Sequence, residues 1–400
     1  MYKIHAIKTL WSVTIIIIGL VFQTHYAHSV VKNQDAFLLR LSQSFGKDVS
    51  VRLHGVKQQG NDVFIDELTI KGSALSPDTS LKAVKFSGIS ETNRDYAIKK
   101  MDIASIHYLY EGSNIDAQNI VLYNVILPPN KGLFNQNIGF QYSKGQFKQI
   151  FLTDWRKKIL GRLENGVISL RPSIRQNPIS FSIAVTKVTV HVSNFPEGST
   201  RTDFMAMGYG QATGNLRMEG AYGGDQSVMD LKNFALSLDN GGHLTGSFKM
   251  DGMTLESLLT IVTLQRENGR GNVSTSRMIL GMIGQIQRYN FYGGHVRFDD
   301  RSFTQKLIQV EARRDNLTNE ELKKNWNDNL PGWLSFAKET SFAQEAHDAI
   351  NDYLLNPVSL EISSKPMKKL SLIMLAISGK LNQKQFIRQL NLKIMSNQKN

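Results

Sequence analysis

Nine histidines are the residues that first suggest metal chemistry in this 400-residue chain. Zinc sites commonly place histidines at short spacings such as H-E-x-x-H, with a carboxylate close by. The sequence has no such motif and no close cluster of histidines with acidic residues; the nine are His5, His25, His28, His54, His107, His191, His243, His295 and His347. We therefore predict no metal site and no other cofactor. His191 and His243 are expected to be strand residues that pair across a sheet.

Serine nucleophiles are the second chemistry to consider. The Ser-x-x-Lys pattern occurs three times, beginning at Ser29, Ser44 and Ser335, but no K-T-G or S-D-N motif accompanies it. The chain also has no G-x-S-x-G elbow and no phosphate-binding P-loop. We predict no catalytic residue, and a binding protein is favoured over an enzyme.

The acidic pair Asp299 and Asp300 is the polar cluster best suited to acid–base chemistry. A glycosidase needs two carboxyl groups about 5 to 10 Å apart on opposing elements. Adjacent residues of a strand point to opposite faces of the sheet, so this pair does not supply that geometry. We instead expect Asp300 to cap a helix that begins near Ser302.

The last forty residues suggest a different chemistry, the binding of anionic headgroups. After Glu361 the sequence has no acidic residue, while basic residues interleave with an apolar run at 370–377. The residues predicted to hold headgroups are Lys365, Lys368, Lys369, Lys380, Lys384 and Arg388. Such a basic, apolar segment favours an anionic membrane. A solvated basic face above a buried apolar face is the alternative, and the sequence leaves both open.

Composition restricts the class of partner further. The chain carries 47 basic and 34 acidic residues, a formal charge of +13, and no cysteine. The excess of positive charge points to anionic partners such as lipid headgroups, envelope polysaccharide or nucleic acid. We favour a membrane or anionic lipid, with a possible envelope protein partner, and expect no nucleic acid.

The N-terminal segment predicts the compartment. Residues 10–22 form an apolar run of 13 residues, preceded by Lys3 and Lys8 and followed by the small-x-small triplet 27–29. This length matches the core of a secretory signal, which spans about 7 to 15 residues. Residues 1–29 are therefore predicted to be a signal peptide or a membrane anchor, and cleavage and retention both remain open.

Hydrophobic periodicity predicts an α+β fold dominated by a β-rich antiparallel meander, elongated or groove-like, with a helical C-terminal part. Residues 30–130 are predicted as a short helix plus a meander, 131–252 as a β-rich region with one amphipathic helix, and 253–400 as an α+β region. The amphipathic helix is placed at 147–163, where apolar residues recur at helical spacing. Most such helices cover a sheet, although this one could lie on a membrane.

Local signals refine these elements. An irregularity is expected in the strand near Asp66 and Glu67, and capping boxes are predicted at Thr318 with Glu321 and at Ser341 with Gln344.

The opening of the chain combines four features: the N-terminal apolar segment, a predicted helix ending in Phe45 and Gly46, a predicted strand at 49–53, and residues 63–72, which read V-F-I-D-E-L-T-I-K-G. In these features it resembles AsmA-like envelope proteins of Gram-negative bacteria. The resemblance implies a protein that hangs in the periplasm from the inner membrane and handles lipids along an elongated β groove. It supplies no catalytic residues.

These observations favour a non-enzymatic, periplasm-facing envelope protein that binds a lipid or another amphiphile through an apolar strand face. Residues of one alternating face are predicted to line it: Val63, Ile65, Leu216, Met218, Phe234 and Leu236. The alternatives are an envelope assembly or scaffold protein that binds partners through sheet edges and, less favoured, an envelope hydrolase.

Overall fold

The computed structural model describes residues 34–44, 50–71, 79–91, 95–110, 113–127, 141–171, 178–224, 227–269, 271–337 and 340–398. The predicted signal or anchor segment at 1–29 lies outside these residues. Within them, no helix has the length and apolar character needed to cross a bilayer. The chain divides into two compact units, Met1–Gly198 (unit 1) and Ser199–Asn400 (unit 2).

Unit 1 is an antiparallel meander in which each strand pairs with the next. Helix α1 (Gln34–Ser44) precedes strands β1 (Ser50–Gln59), β2 (Asp62–Lys71), β3 (Thr79–Glu91), β4 (Tyr96–Tyr110), β5 (Ser113–Leu127), β6 (Lys144–Thr153), β7 (Ile159–Arg171) and β8 (Ile179–Val190). Phe37 of α1 is buried and meets the rings of Phe86 and Tyr96 edge-on, with centroids 5.4 Å apart in both pairs. Helix α1 is thus held to the sheet by aromatic packing.

A row of residues with positive φ crosses the strands of unit 1 at one level. Gly55 on β1, Ala83 on β3, Asn119 on β5 and Asn165 on β7 have φ between 48° and 65°. The strand pairing skips each of them. The residues that face them lie on the even-numbered strands, which completes the row across all eight: Gly55, Asp66, Ala83, Ala104, Asn119, Lys148, Asn165 and Thr186. We call this set the kink row.

At the kink row the alternation of buried and exposed residues shifts by one position. The same face of the sheet therefore stays apolar on both sides of the row. On β2, buried residues stand at Val63 and Ile65 and then at Leu68 and Ile70, so one interval is three residues instead of two. Asp66 lies within that interval. The predicted irregularity near Asp66 and Glu67 is therefore confirmed, and it is one member of a feature shared by every strand of the unit.

The predicted amphipathic helix at 147–163 is wrong. This segment contains most of β6 and the start of β7, with Ile150 opposite Leu163 in an antiparallel pair. The kink row explains the misreading, because the step from Phe147 to Ile150 across it is three residues, which imitates a helical period. A tight turn joins the strands, in which the Asp154 carboxylate accepts hydrogen bonds from the backbone N–H groups of residues 156 and 158.

Unit 2 combines a second antiparallel meander with helices. Its elements are α2 (Ser199–Ala206), β9 (Ala212–Gly223), β10 (Val228–Leu238), β11 (Gly242–Asp251), α3 (Leu255–Gly269), α4 (Thr275–Ile286), β12 (Asn290–Asp300), α5 (Phe303–Arg314), α6 (Asn319–Trp333), α7 (Ser341–Leu355), β13 (Ser359–Ser364), β14 (Leu370–Ser371), α8 (Leu372–Leu381), α9 (Gln383–Leu390) and β15 (Leu392–Ser396). Strands β9 to β13 pair in order, β15 pairs with β13, and β14 pairs with β12. The predicted β-rich antiparallel meander with a helical C-terminal part is confirmed.

Helix starts in unit 2 follow the predicted caps in two of three cases. Thr318 and Glu321 form the capping box, and the Asp300 carboxylate accepts a hydrogen bond of 2.9 Å from the backbone N–H of Thr304. The box predicted at Ser341 and Gln344 is wrong, because α7 begins one residue after Thr340, whose side chain makes no capping bond.

The kink row generates a prediction about two alanines that face each other. Ala83 and Ala104 are both exposed, but only Ala83 has the positive φ that costs a non-glycine residue about 1–2 kcal/mol. Ala83→Gly should therefore raise the free energy of unfolding by up to about 1 kcal/mol, whereas Ala104→Gly should lower it by about 0.5–1 kcal/mol. Urea denaturation of the two variants measures both values.

Valine substitutions supply the matching control. Ala83→Val should destabilise the protein because a β-branched side chain is disfavoured at positive φ, while Ala104→Val should be tolerated in an exposed strand position. Equal effects at the two sites would contradict this account of the row.

Candidate functional site

The predicted lining residues of unit 1 lie in its packed interior. Val63 and Ile65 are both buried, and each faces an apolar partner on β3, Phe86 and Val84 respectively. Phe86 in turn contacts Phe37 of helix α1. These two positions therefore form part of the core of the described structure.

The predicted lining residues of unit 2 form two adjacent rows on one face of the meander. Leu216 lies directly opposite Leu236, and Met218 lies opposite Phe234. The pairing carries the rows onto the following strands, where directly opposed residues share a face. The apolar strip so defined comprises Leu216, Met218, Phe234, Leu236, Leu244, Val296, Phe298, Leu360 and Ile362.

Helices cover part of the apolar strip but leave two of its residues exposed. The ring of Phe298 packs edge-on against Phe303 of α5, with centroids 5.9 Å apart. Leu360, directly opposite Phe298, packs against the core formed by α7, α9 and β15. In the next row of the same two strands, Val296 is 55% exposed and Ile362 is 46% exposed, whereas Met218 on β9 is buried. The strip therefore exposes apolar surface on β12 and β13.

The opposite face of the same strands is polar and internally bonded. The Nδ1 atom of His243 lies 2.8 Å from the Oγ atom of Ser237, and the same atoms of His295 and Ser247 are also 2.8 Å apart. The guanidinium of Arg297 is largely buried and donates to the Asp299 carboxylate at 2.7 Å. Unit 2 thus has one apolar and one polar sheet face.

The pKa of Arg297 reflects this arrangement. The hydrogen bond to Asp299 raises the pKa of the guanidinium, burial lowers it, and the charges of Asp299 and Glu361 raise it further. The polar face therefore holds a permanently charged residue by ion pairing.

Asp299 and Asp300 point to opposite faces of the sheet, as expected for adjacent residues of a strand. Asp299 pairs with Arg297, while Asp300 accepts hydrogen bonds from Thr304 and from the hydroxyl of Tyr353 at 2.8 Å. Burial of Tyr353 raises the pKa of its hydroxyl. Both carboxylates have structural partners, and among the described residues no group of three histidine, aspartate or glutamate side chains could hold a metal ion.

The predicted histidine positions can also be located. His243 lies on β11, opposite Ser237, as a paired strand residue. His191 lies just beyond β8, where its backbone N–H donates to the carbonyl of Leu160 at 2.9 Å before a short 3-10 helix begins.

Three predicted headgroup residues lie between β13 and β14. Lys365, Lys368 and Lys369 are exposed. Lys369 is engaged, since its ammonium lies 3.5 Å from the carboxylate of Asp251. Lys365 and Lys368 have no ionic partner among the residues that the structure describes.

Two further predicted residues share one face of α9. Lys384 and Arg388 are four residues apart and exposed, while Ile387 on the other side of the helix is buried in the α7–β15 core. Lys380 lies in α8, but its side chain is outside the described part of the structure. The structure therefore groups the headgroup residues into a loop cluster and a helix face.

Asp251 ties the basic loop to the sheet. Its carboxylate is almost fully buried and accepts hydrogen bonds of 2.6 Å from both Asn290 and the hydroxyl of Tyr292. Burial raises the pKa of Asp251, but the hydrogen bonds from Tyr292 and Asn290 and the charge of Lys369 outweigh it, so the pKa is lowered overall. Asp251 is thus held ionised.

Sequence reasoning missed the five members of the strip that follow β10, which are Leu244, Val296, Phe298, Leu360 and Ile362. Counting outward from the hairpin glycines at 241–242 would have placed Leu244 beside Leu236. No comparable local signal exists for β12 and β13, because helices separate them in the chain.

Replacing Asp251 should destabilise unit 2. Asp251→Ala leaves two partly buried donors, the Asn290 amide and the Tyr292 hydroxyl, without their acceptor, so we expect a loss of about 1–2 kcal/mol in unfolding free energy at pH 7. Lys369→Ala is the control and should cost less than about 1 kcal/mol, because the Lys369 side chain is half exposed.

The pH dependence of the Asp251→Ala effect follows from the lowered pKa. The contribution of Asp251 is fully present above the unfolded value near 3.9 and is lost as pH falls through the lower folded value. The difference between wild type and variant, measured by urea denaturation, should therefore shrink below about pH 4. A difference that stays constant down to pH 2 would contradict this assignment.

Comparison with known proteins gives a match to a family model. A family model described as "Uncharacterized protein" matches residues 235–397. This range begins within β10 and ends after β15, so it includes β11 to β13 of the apolar strip and the basic C-terminal segment. No curated protein matches the chain.

Proposed function

We propose that this chain is a non-enzymatic cell-envelope protein, facing the periplasm or anchored in the inner membrane, that binds a lipid or another amphiphile. The observation that carries the proposal is the apolar strip of unit 2. Val296 and Ile362 expose apolar side chains on neighbouring strands, next to the helix-packed pair Phe298 and Leu360. A bound acyl chain would remove this apolar surface from water, which favours binding.

The geometry of the strip suits an elongated apolar group. Its rows cross strands β9 to β13, and neighbouring strands lie about 4.8 Å apart. Gly246 lies between Phe234 and Val296 in one row. Because it has no side chain, the surface of the strip is depressed at this position. An acyl chain lying across the strands could therefore contact several residues of the strip at once.

Charge supports an anionic headgroup on the amphiphile. Exposed Lys365 and Lys368 lie just after β13, and Lys384 with Arg388 lies on α9, which packs near β13 and β15. All ionisable side chains that follow Glu361 are basic. An acidic lipid would be attracted to this part of unit 2, whereas a cationic one would be repelled.

A scaffold role is the second candidate, and β1 favours it. This strand stands at the end of the strand order in unit 1, and none of its residues is buried. Edge strands present unpaired backbone groups to which a partner strand can bind. A fixed protein partner recovered in place of lipid would support this role.

Lipid content of the purified protein tests the proposed function. The chain, expressed in a bacterial periplasm with its own N-terminal segment, should co-purify with phospholipid that mass spectrometry can count. Replacing Val296 and Ile362 together by glutamate should reduce the lipid per chain by roughly tenfold, because carboxylates resist burial beside an acyl chain.

Leu109→Glu is the matched control for this experiment. Leu109 lies on β4 of unit 1 and is 46% exposed, the same fraction as Ile362, so its replacement adds a surface charge on a strand that is not part of the strip. This variant should keep its lipid. A wild-type protein without lipid, or a double variant that retains it, would refute binding at the strip.

A further inference from the structure

Two neighbouring helices of unit 2 expose apolar side chains. Helix α4 has no buried residue, and its Ile279, Leu280 and Ile283 are all exposed. These positions lie on one side of the helix. Gly281, on the opposite side, lies against Leu264 of α3. The apolar side of α4 therefore points away from the helix that supports it.

Helix α8, which contacts α4, also exposes apolar residues. Met374, Ile377 and Leu381 are exposed, and their spacing of three and four residues places them on one stripe. Leu375, on another side of α8, is buried. We call the six exposed residues of α4 and α8 the apolar ridge. Exposed apolar residues grouped on neighbouring helices often mark an interaction site.

The charge around the apolar ridge identifies the kind of partner. Helices α4, α8 and α9 contain no acidic residue. Exposed basic side chains stand close by in sequence, Arg277 within α4, Lys368 just before α8, and Lys384 and Arg388 on α9. Apolar residues bordered by basic ones are typical of helices that lie in the interface of an anionic bilayer.

We propose that the apolar ridge docks unit 2 onto the surface of an anionic phospholipid bilayer, with Ile279, Leu280, Ile283, Met374, Ile377 and Leu381 entering the interface. A second copy of the chain fits less well, because two ridges face to face would bring their basic borders together. This surface lies on helices, whereas the proposed lipid site lies on the sheet. The proposal therefore stands even if the apolar strip binds no lipid.

The absence of cysteine from the chain permits a direct test. Single cysteines introduced at Leu280 and Leu381 of the full chain carry a bimane fluorophore, and nitroxide-labelled lipids in vesicles quench it on contact. With vesicles of phosphatidylcholine containing phosphatidylglycerol, quenching at both sites should exceed that of a control site at least twofold. The control is Leu355→Cys on α7, since Leu355 is 66% exposed and Leu280 is 68% exposed.

A charge-reversal variant distinguishes docking of the apolar ridge from attachment of the chain to the membrane through its N-terminal segment. Lys384→Glu with Arg388→Glu should reduce quenching at Leu280→Cys to the level of the control, because the altered helix face repels anionic lipid. Equal quenching at Leu355→Cys, or none at Leu280→Cys and Leu381→Cys, would overturn the proposal. A fluorescence change that depends on protein concentration without vesicles would also overturn it, in favour of self-association.

Discussion

The strands of unit 1 must keep one apolar face while their backbone changes direction, and the kink row meets this constraint. Gly55, Ala83, Asn119 and Asn165 take a positive φ on alternate strands at one level. Asparagine and glycine tolerate this geometry better than other residues. Because every strand gains one residue at the same level, the pairing continues on both sides and the buried residues stay on one face. An extra residue on one strand alone would turn the rest of that strand's apolar residues to the other face.

This constraint also separates what the sequence could predict from what it could not. Strands such as β10 and helix starts such as Thr318 were predictable, because alternation and capping boxes are local signals. The helix predicted at 147–163 failed because the kink at Lys148 replaces a two-residue step by a three-residue step. A helix and a kinked strand can both place apolar residues three positions apart. Only the pairing with the neighbouring strand distinguishes the two structures.

The candidate site was predictable in part for a similar reason. Leu216, Met218, Phe234 and Leu236 lie on one hairpin, so local alternation placed them on one face, and the register confirms that they oppose each other. Whether such a face is open depends on elements far away in the chain. Val63, Ile65 and Met218 show the same alternation as Leu216, Phe234 and Leu236, yet these three are buried and the others are only partly so. Composition alone does not distinguish a packed face from one left uncovered.

The environment of Asp251 links the two apolar surfaces of unit 2. Its carboxylate accepts hydrogen bonds from Asn290 and Tyr292 at the start of β12 and pairs with Lys369 beside β14. The backbone N–H of Leu372, the first residue of α8, donates to the carbonyl of Tyr289, one residue before β12. The strand that carries Val296 and the helix that carries Met374 are therefore held at one joint. Asp251 thus holds the start of β12 and the segment that leads into α8 through one carboxylate.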